Sequence, residues 1–237
     1  MPGTRKTDPT PRRKPASRPR RKRRAGPDSP LTREQIVSTA LKLVDREGLR
    51  ALSMRRLGAE LGVDPMAVYY HVPNKQALLG AIVEAVMASI DLSVDDPANP
   101  PEERIMSAAQ AYRDALLAHA NALPILLSHG PSTPAALRPV ELLIGILRDA
   151  GLPPAQALAG MNAIAAAVRG VAGMLSTGAK LPAREEIEAL ERSVPPNEFP
   201  HLHEAMPYAC EFPDRGFEFG IRALARGLLA EAKCGCL

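Results

Sequence analysis

The chain of 237 residues is 46% hydrophobic and 24% charged, enough for one large domain or two modest ones with an ample core. Only 3% of it is aromatic while alanine and leucine dominate, which favours helix over strand. Three late cysteines are too few for a disulfide framework, and the basic N-terminus leads into no apolar segment, which excludes a secretory signal. No run approaches the roughly 18 apolar residues of a membrane span, since the most apolar region, residues 163–175, is broken by Arg169. A cytoplasmic protein with no membrane partner is expected.

The net charge of +4 is unevenly divided. Residues 1–30 hold eleven Lys and Arg against Asp8 and Asp28, a local charge of +9, so the remaining 207 residues sum to −5. This arm has no Leu, Ile, Val or aromatic residue and cannot bury enough surface to order itself. A solubilising tail is one reading. Its density of cations favours contact with nucleic-acid phosphates.

Order begins at "LTREQIVSTALKLVDREGL". Thr32 and Gln35 have the spacing of a capping box; Ile36, Ala40, Leu43 and Val44 recur at helical spacing, and Gly48 is the stop. A second, short helix follows Ser53, with Leu57 and Leu61 facing inward and Gly62 at its end. Asp64 caps a third, with Pro65 at its first position, where a missing N–H is no loss; it ends near His71. Asn74 caps a fourth, whose apolar stripe is Leu78, Leu79, Ile82, Val83, Val86 and Ile90.

"DDPANPP" at 95–101 is the clearest break in the chain. Beyond it, helices bounded by Pro or Gly are predicted at 102–120, 122–128, 133–150, 153–178, 183–193 and 214–233. Pro139 is expected to bend the third of these or to mark a later start. Residues 194–213 read as Pro-rich and irregular. With no repeat and no alternating strand pattern, the expected class is all-α: a basic arm at 1–30, a small three-helix domain at 31–76 and a larger helical domain at 77–237.

Two short helices separated by "GVD" have the form of a helix-turn-helix, whose second helix enters the major groove N-terminus first. On a helical wheel Val68 packs back on Leu57 and Leu61. Met66 and Tyr70 then point away from the core, with Ala67 and Tyr69 on the flanks. Half of the four tyrosines sit in this one dipeptide. So placed, they offer a hydroxyl to phosphate and an apolar face to sugars and thymine methyls. The competing reading is that Tyr69 and Tyr70 merely close a three-helix core.

Residues 31–80, and "GVDPMAVYYHVPNKQALL" above all, resemble the N-terminal domain of TetR-type transcriptional repressors. "FPHLHEAM" and "FEFGIRALARGLL" are similar to the C-terminal domain of the tetracycline-repressor branch, so the resemblance spans about 31–233. It implies a homodimeric repressor bound to a palindromic double-stranded DNA operator and released by a small-molecule effector. By position, Met54 and Arg55 would contact DNA from the second helix. Pro65, Met66 and Ala67 would open the recognition helix, with Tyr69, Tyr70 and His71 beside the backbone and Lys75 on a phosphate. Since Pro65, Met66 and Ala67 offer bases no side-chain hydrogen bond, readout would rest on Arg55 and apolar contacts. The larger domain would dimerise through about 155–178 and 214–233, where small residues allow close helix approach.

The branch holds its drug as a magnesium chelate, but here the corresponding positions fall at Asp91, near Leu126, near Leu143 and near Leu175. The departure implies no metal or other cofactor and a largely apolar ligand. The expected lining is Tyr112, Leu116, His119, Leu126, His129, Leu143, Ile146, Leu147, Met161, Ile164, Val168 and Met174, with Asn162 a further polar contact. No enzyme is expected, because GxGxxG, GxSxG, P-loop, HExxH and CxxC patterns are all absent. His201, His203, Cys210, Cys234 and Cys236 fit no zinc spacing. The alternatives are an architectural DNA-binding protein that answers to no ligand, and an activator.

Deleting residues 1–30 isolates the arm. Each phosphate it neutralises adds about 0.9 to the slope of log K against log salt. The truncated protein is expected to show a flatter salt dependence, with specific and non-specific binding weakened by similar factors. Equal slopes for the two forms would show that the arm does not touch DNA.

Overall fold

Side-chain oxygens set the first four helix starts. In the computed structural model, which describes residues 30–176, 183–211 and 214–234, Thr32, Ser53, Asp64 and Asn74 each accept a backbone N–H in the first turn that follows. The helices are α1 (Arg33–Glu47), α2 (Met54–Leu61), α3 (Pro65–His71) and α4 (Lys75–Ala88). The capping box is reciprocal: Gln35 N–H donates to Thr32 Oγ1 at 3.2 Å, and Thr32 N–H to Gln35 Oε1 at 3.0 Å. Gly48 and Gly62 end α1 and α2 at φ values of 79° and 71°, a region that other residues enter only with strain. A short 3-10 turn at Leu49–Ala51, which periodicity does not reveal, links them.

The larger body follows as α5 (Pro101–Ala118), α6 (Leu123–Ser128), α7 (Pro134–Asp149), α8 (Pro154–Ser176), α9 (Arg184–Ser193), α10 (Pro200–Ala205) and α11 (Asp214–Cys234). Every regular element among the described residues is helical, so the fold is all-α. Three expectations are corrected. The stretch 194–213 is not wholly irregular, because Pro200 opens α10 and a 3-10 segment spans Met206–Glu211. Helix α7 begins at Pro134, so Pro139 lies inside it and marks no later start, although it leaves the Ala135 carbonyl without its helical donor. Helix α8, at 23 residues, is by length and composition long and apolar enough to cross a membrane despite Arg169.

The basic arm, apart from Pro30, lies outside the described residues, as do Cys236 and the side chains of Cys210 and Cys234. His203 is held by Glu191, with Nε2 3.1 Å from its carbonyl oxygen.

Helix α4 joins the two parts, packing on α1 and more extensively on α7. Helix α5 runs through the larger body against α7, α8 and α11. Its N-terminal end is fixed by charge: Arg104 makes a two-pronged pair with Asp95 at 2.8 and 2.9 Å, while Glu102 receives Arg222 and Arg226 from α11. The Arg113 guanidinium stacks 4.5 Å from the Phe217 ring centroid. The turn after α4 is thereby tied to the body it leads into.

At Gly58 α2 closely approaches the start of α3. A Cβ there would lie 3.2 Å from Pro65 Cα, Pro65 N and the Val63 carbonyl oxygen. All three are backbone atoms and cannot yield as a side-chain tip does. Overpacking of about 1–3 kcal/mol should outweigh the roughly 1 kcal/mol that alanine gains over glycine in a helix. Gly58→Ala is therefore expected to lower the urea midpoint of the N-terminal domain. An unchanged or raised midpoint would show that the two helices have slack.

Candidate functional site

Two surfaces can carry function, and α4 touches both. The first is the outer face of α2 and α3. Val68 is fully buried against the core that holds Leu57, whereas Met66 is 71% exposed and Tyr70 88%. Tyr69 is 41% exposed, and Ala67 and Pro65 are half-buried at the flanks. Tyrosines that closed the core would be covered, so that reading fails. The His71 and Tyr70 rings meet edge to face, with centroids 5.4 Å apart.

The cations here differ in their freedom. Arg56 is held by Glu47 at 2.9 Å, but Arg55 is exposed and has no partner among the described residues. Lys75 donates to the Leu52 carbonyl at 2.7 Å, tying α4 to the segment just before α2 and leaving its other two N–H bonds for a phosphate. Met54 is a correction: it is 7% exposed and part of the core, so its side chain does not reach the surface expected of it.

The second surface is a cavity of 340 Å³ lined by α4, α5, α6, α7 and α8 with the segments after α4 and α6. That volume lies in the range of sites for small organic molecules. Of the expected lining, Tyr112, Leu126, His129, Leu143, Met161 and Ile164 face it, and so does Asn162. The other six do not. Leu116, Ile146, Leu147 and Val168 point into the packed core, at most 1% exposed. Met174 is 55% exposed. His119 lies at the joint with α1, its Nδ1 3.0 Å from Asp45 Oδ2, beside Asn121, which donates to the Asp45 carbonyl at 2.8 Å.

Sequence reasoning also missed wall residues. Val83, Met87 and Ile90 enter the cavity from α4 and its end, Pro139 from α7 and Arg169 from α8. The signal for Arg169 was legible, since Asn162, Ala165 and Arg169 share a helical face at spacings of three and four. Among the described residues no Asp, Glu or cysteine lines the cavity.

The wall is wired to α4. His129 Nε2 lies 3.3 Å from Gln76 Oε1, and its Nδ1 2.9 Å from the Ser128 hydroxyl. Glu84 accepts the backbone N–H of Ser132 at 2.6 Å and of Thr133 at 3.1 Å, together with both hydroxyls. Burial pushes the Glu84 carboxyl towards its neutral form, but the bonds from Thr133 and Ser132 outweigh it and hold the group below the usual carboxylate range. The latch is therefore ionised at neutral pH and weakens only as acid protonates Glu84.

Residues 36–82 match the family described as bacterial regulatory proteins of the tetR family, and residues 96–232 the tetracyclin repressor-like C-terminal domain. The chain is similar to the class C tetracycline repressor of Escherichia coli, at 31% identity over 84% of this chain and 90% of that one. The class E repressor matches at 32%, over 54% of this chain and 61% of that protein. Among solved structures it is similar to apo ActR from Streptomyces coelicolor, with a TM-score of 0.79, 31% identity and coverage of 88% of this chain and 99% of ActR. ActR in complex with actinorhodin matches at a TM-score of 0.75 and 31% identity, over 86% and 99% of the two chains. BioQ with its double-stranded DNA operator matches at 0.59 and 27%, over 84% and 99%.

Tyr70→Ala separates a groove residue from a packing residue. At 88% exposure its loss should leave the melting temperature almost unchanged, within about 0.5 kcal/mol of stability, while DNA affinity falls at least about tenfold. A destabilised variant with unchanged affinity would return the tyrosine to the core.

Proposed function

Because the chain belongs to the TetR family of bacterial regulatory proteins, a family of ligand-responsive DNA-binding regulators and not of enzymes, we propose that it is a homodimeric cytoplasmic repressor released from a palindromic operator by a small, largely apolar molecule. The observation that carries this reading is the double duty of α4. Val83 and Met87 line the cavity, while Lys75 and Gln76 at the other end of the same helix touch the Leu52 carbonyl and His129. A molecule that pushes on the cavity face of α4 pushes on the mount of the helix-turn-helix. A rigid helix passes a displacement at one end to the other, and two recognition helices fit a palindrome only at one separation.

The relatives support each half of the reading: ActR is known with actinorhodin bound, and BioQ with its operator. The cavity weighs against a purely architectural role, which needs no largely apolar cavity.

The dimer is supported by what α8 and α11 leave uncovered. Leu158, Met174 and Phe219 are 49%, 55% and 76% exposed, and Gly170, Gly220 and Gly227 face open space in which a neighbouring helix could approach closely. Gly160 already serves such an approach within the chain, with Leu228 Cδ1 3.1 Å from where its Cβ would be.

Light scattering at micromolar concentration is expected to give about twice 25.4 kDa. Selection from random DNA should return a palindrome whose half-sites lie about one helical turn apart, or a multiple of that. A monomer with a single half-site would overturn the reading.

A further inference from the structure

Among the described residues, one formally charged side chain lines the cavity. Arg169 lies half-buried on the wall of a largely apolar space, and among the described residues no Asp or Glu lines it. Among the described residues Arg169 has no hydrogen bond and no ion pair. Its neighbours in the body are treated differently: Arg104 is paired with Asp95, and Arg222 and Arg226 with Glu102. An exposed arginine without a partner is satisfied by water. One that has surrendered part of its hydration to an apolar wall needs an anion to restore the balance.

We propose, resting on the reading of this cavity as an effector site, that the effector is an apolar molecule bearing one acidic group, a carboxylate or an ionised phenol, with Arg169 as its counter-ion. The planar guanidinium matches the two oxygens of a carboxylate, and the apolar surroundings strengthen the pair by excluding water. Asn162, two helical turns earlier on the same face of α8, supplies a neutral donor and acceptor for a second polar group. The body of the ligand lies against Val83, Met87 and Leu143, where nothing offers a charge of either sign. A cationic ligand of equal size would meet Arg169 with no carboxylate to offset it.

Three fluorescent probes test this on the full chain, which has no tryptophan to interfere. They are anthracene-2-carboxylate, its methyl ester and 2-(aminomethyl)anthracene. Wild-type protein is expected to bind the carboxylate about tenfold or more tightly than the ester, and the amine most weakly. Arg169→Gln should abolish the preference for the acid while leaving the ester within about twofold, and Arg169→Lys should keep part of it.

Equal affinity for acid and ester in wild type, failure of the carboxylate to bind, or a preference that survives in Arg169→Gln would overturn the inference. So would a change of Arg169→Gln from dimer to monomer in light scattering, which would give the side chain to the subunit contact. Release of selected operator DNA, read in the same titrations, separates the two claims. An ester that binds and releases DNA with no preference for the acid sinks only the role of Arg169. A carboxylate that binds through Arg169 without releasing DNA supports that role and sinks the reading of the cavity as an effector site.

Discussion

The burial of α4 on two sides is the constraint on which the rest of the structure depends. Leu78, Ala81, Ile82, Val83, Val86 and Met87 are all buried, more than one stripe of a surface helix can supply. Such a helix must be covered from two directions, by α1 of the small domain and α7 of the large one. At about 25 cal/mol per Å² of apolar surface, separating either side would cost several kcal/mol. The helix-turn-helix therefore cannot float free of the cavity. Whatever moves α4 moves both.

Polar contacts do a different job from this apolar burial, fixing register rather than driving association. Glu84 grips the start of α7, Lys75 the Leu52 carbonyl and Asn121 the Asp45 carbonyl. Asn121 reaches across the joint between the two parts of the molecule, while Lys75 and Glu84 tie α4 to the small part and to α7 on either side of it, and each contact ends on backbone, so it holds an element and not merely a side-chain tip. Contacts of this kind contribute about 1 kcal/mol each and can break and reform. A joint made of a few such bonds over a continuous apolar seam can take up a second arrangement without coming apart, as a ligand-driven switch requires.

The cavity follows from the same packing. Helix α7 must stay close to α4 for Glu84 to reach its N-terminus, yet Pro139 interrupts the hydrogen bonding of its second turn and contributes to the wall. On α8, Ala165 presents little bulk on the face that carries Asn162 and Arg169. Space left between well-packed helices is lined by what those helices happen to present. Here that is apolar, with one cation.

The helix starts and stops were legible in the sequence because their causes are local. Thr32, Ser53, Asp64 and Asn74 cap whatever follows them, Gly48 and Gly62 supply positive φ, and the stripe of α4 announces a buried helix. The outward aim of Met66 and Tyr70 was legible too, because the wheel of a two-turn helix leaves Val68 only one side on which to pack. The cavity was legible in its apolar character and in about half its lining. What the sequence could not decide was which apolar residue faces the space and which faces the core. Leu143 and Leu147, one turn apart on the same helix, fall on opposite sides of that division. Met54 sinks into the core and His119 turns to Asp45 for the same reason. A side chain's partner across a helix–helix contact is set by crossing angle and distance, which arise only when all the helices pack together.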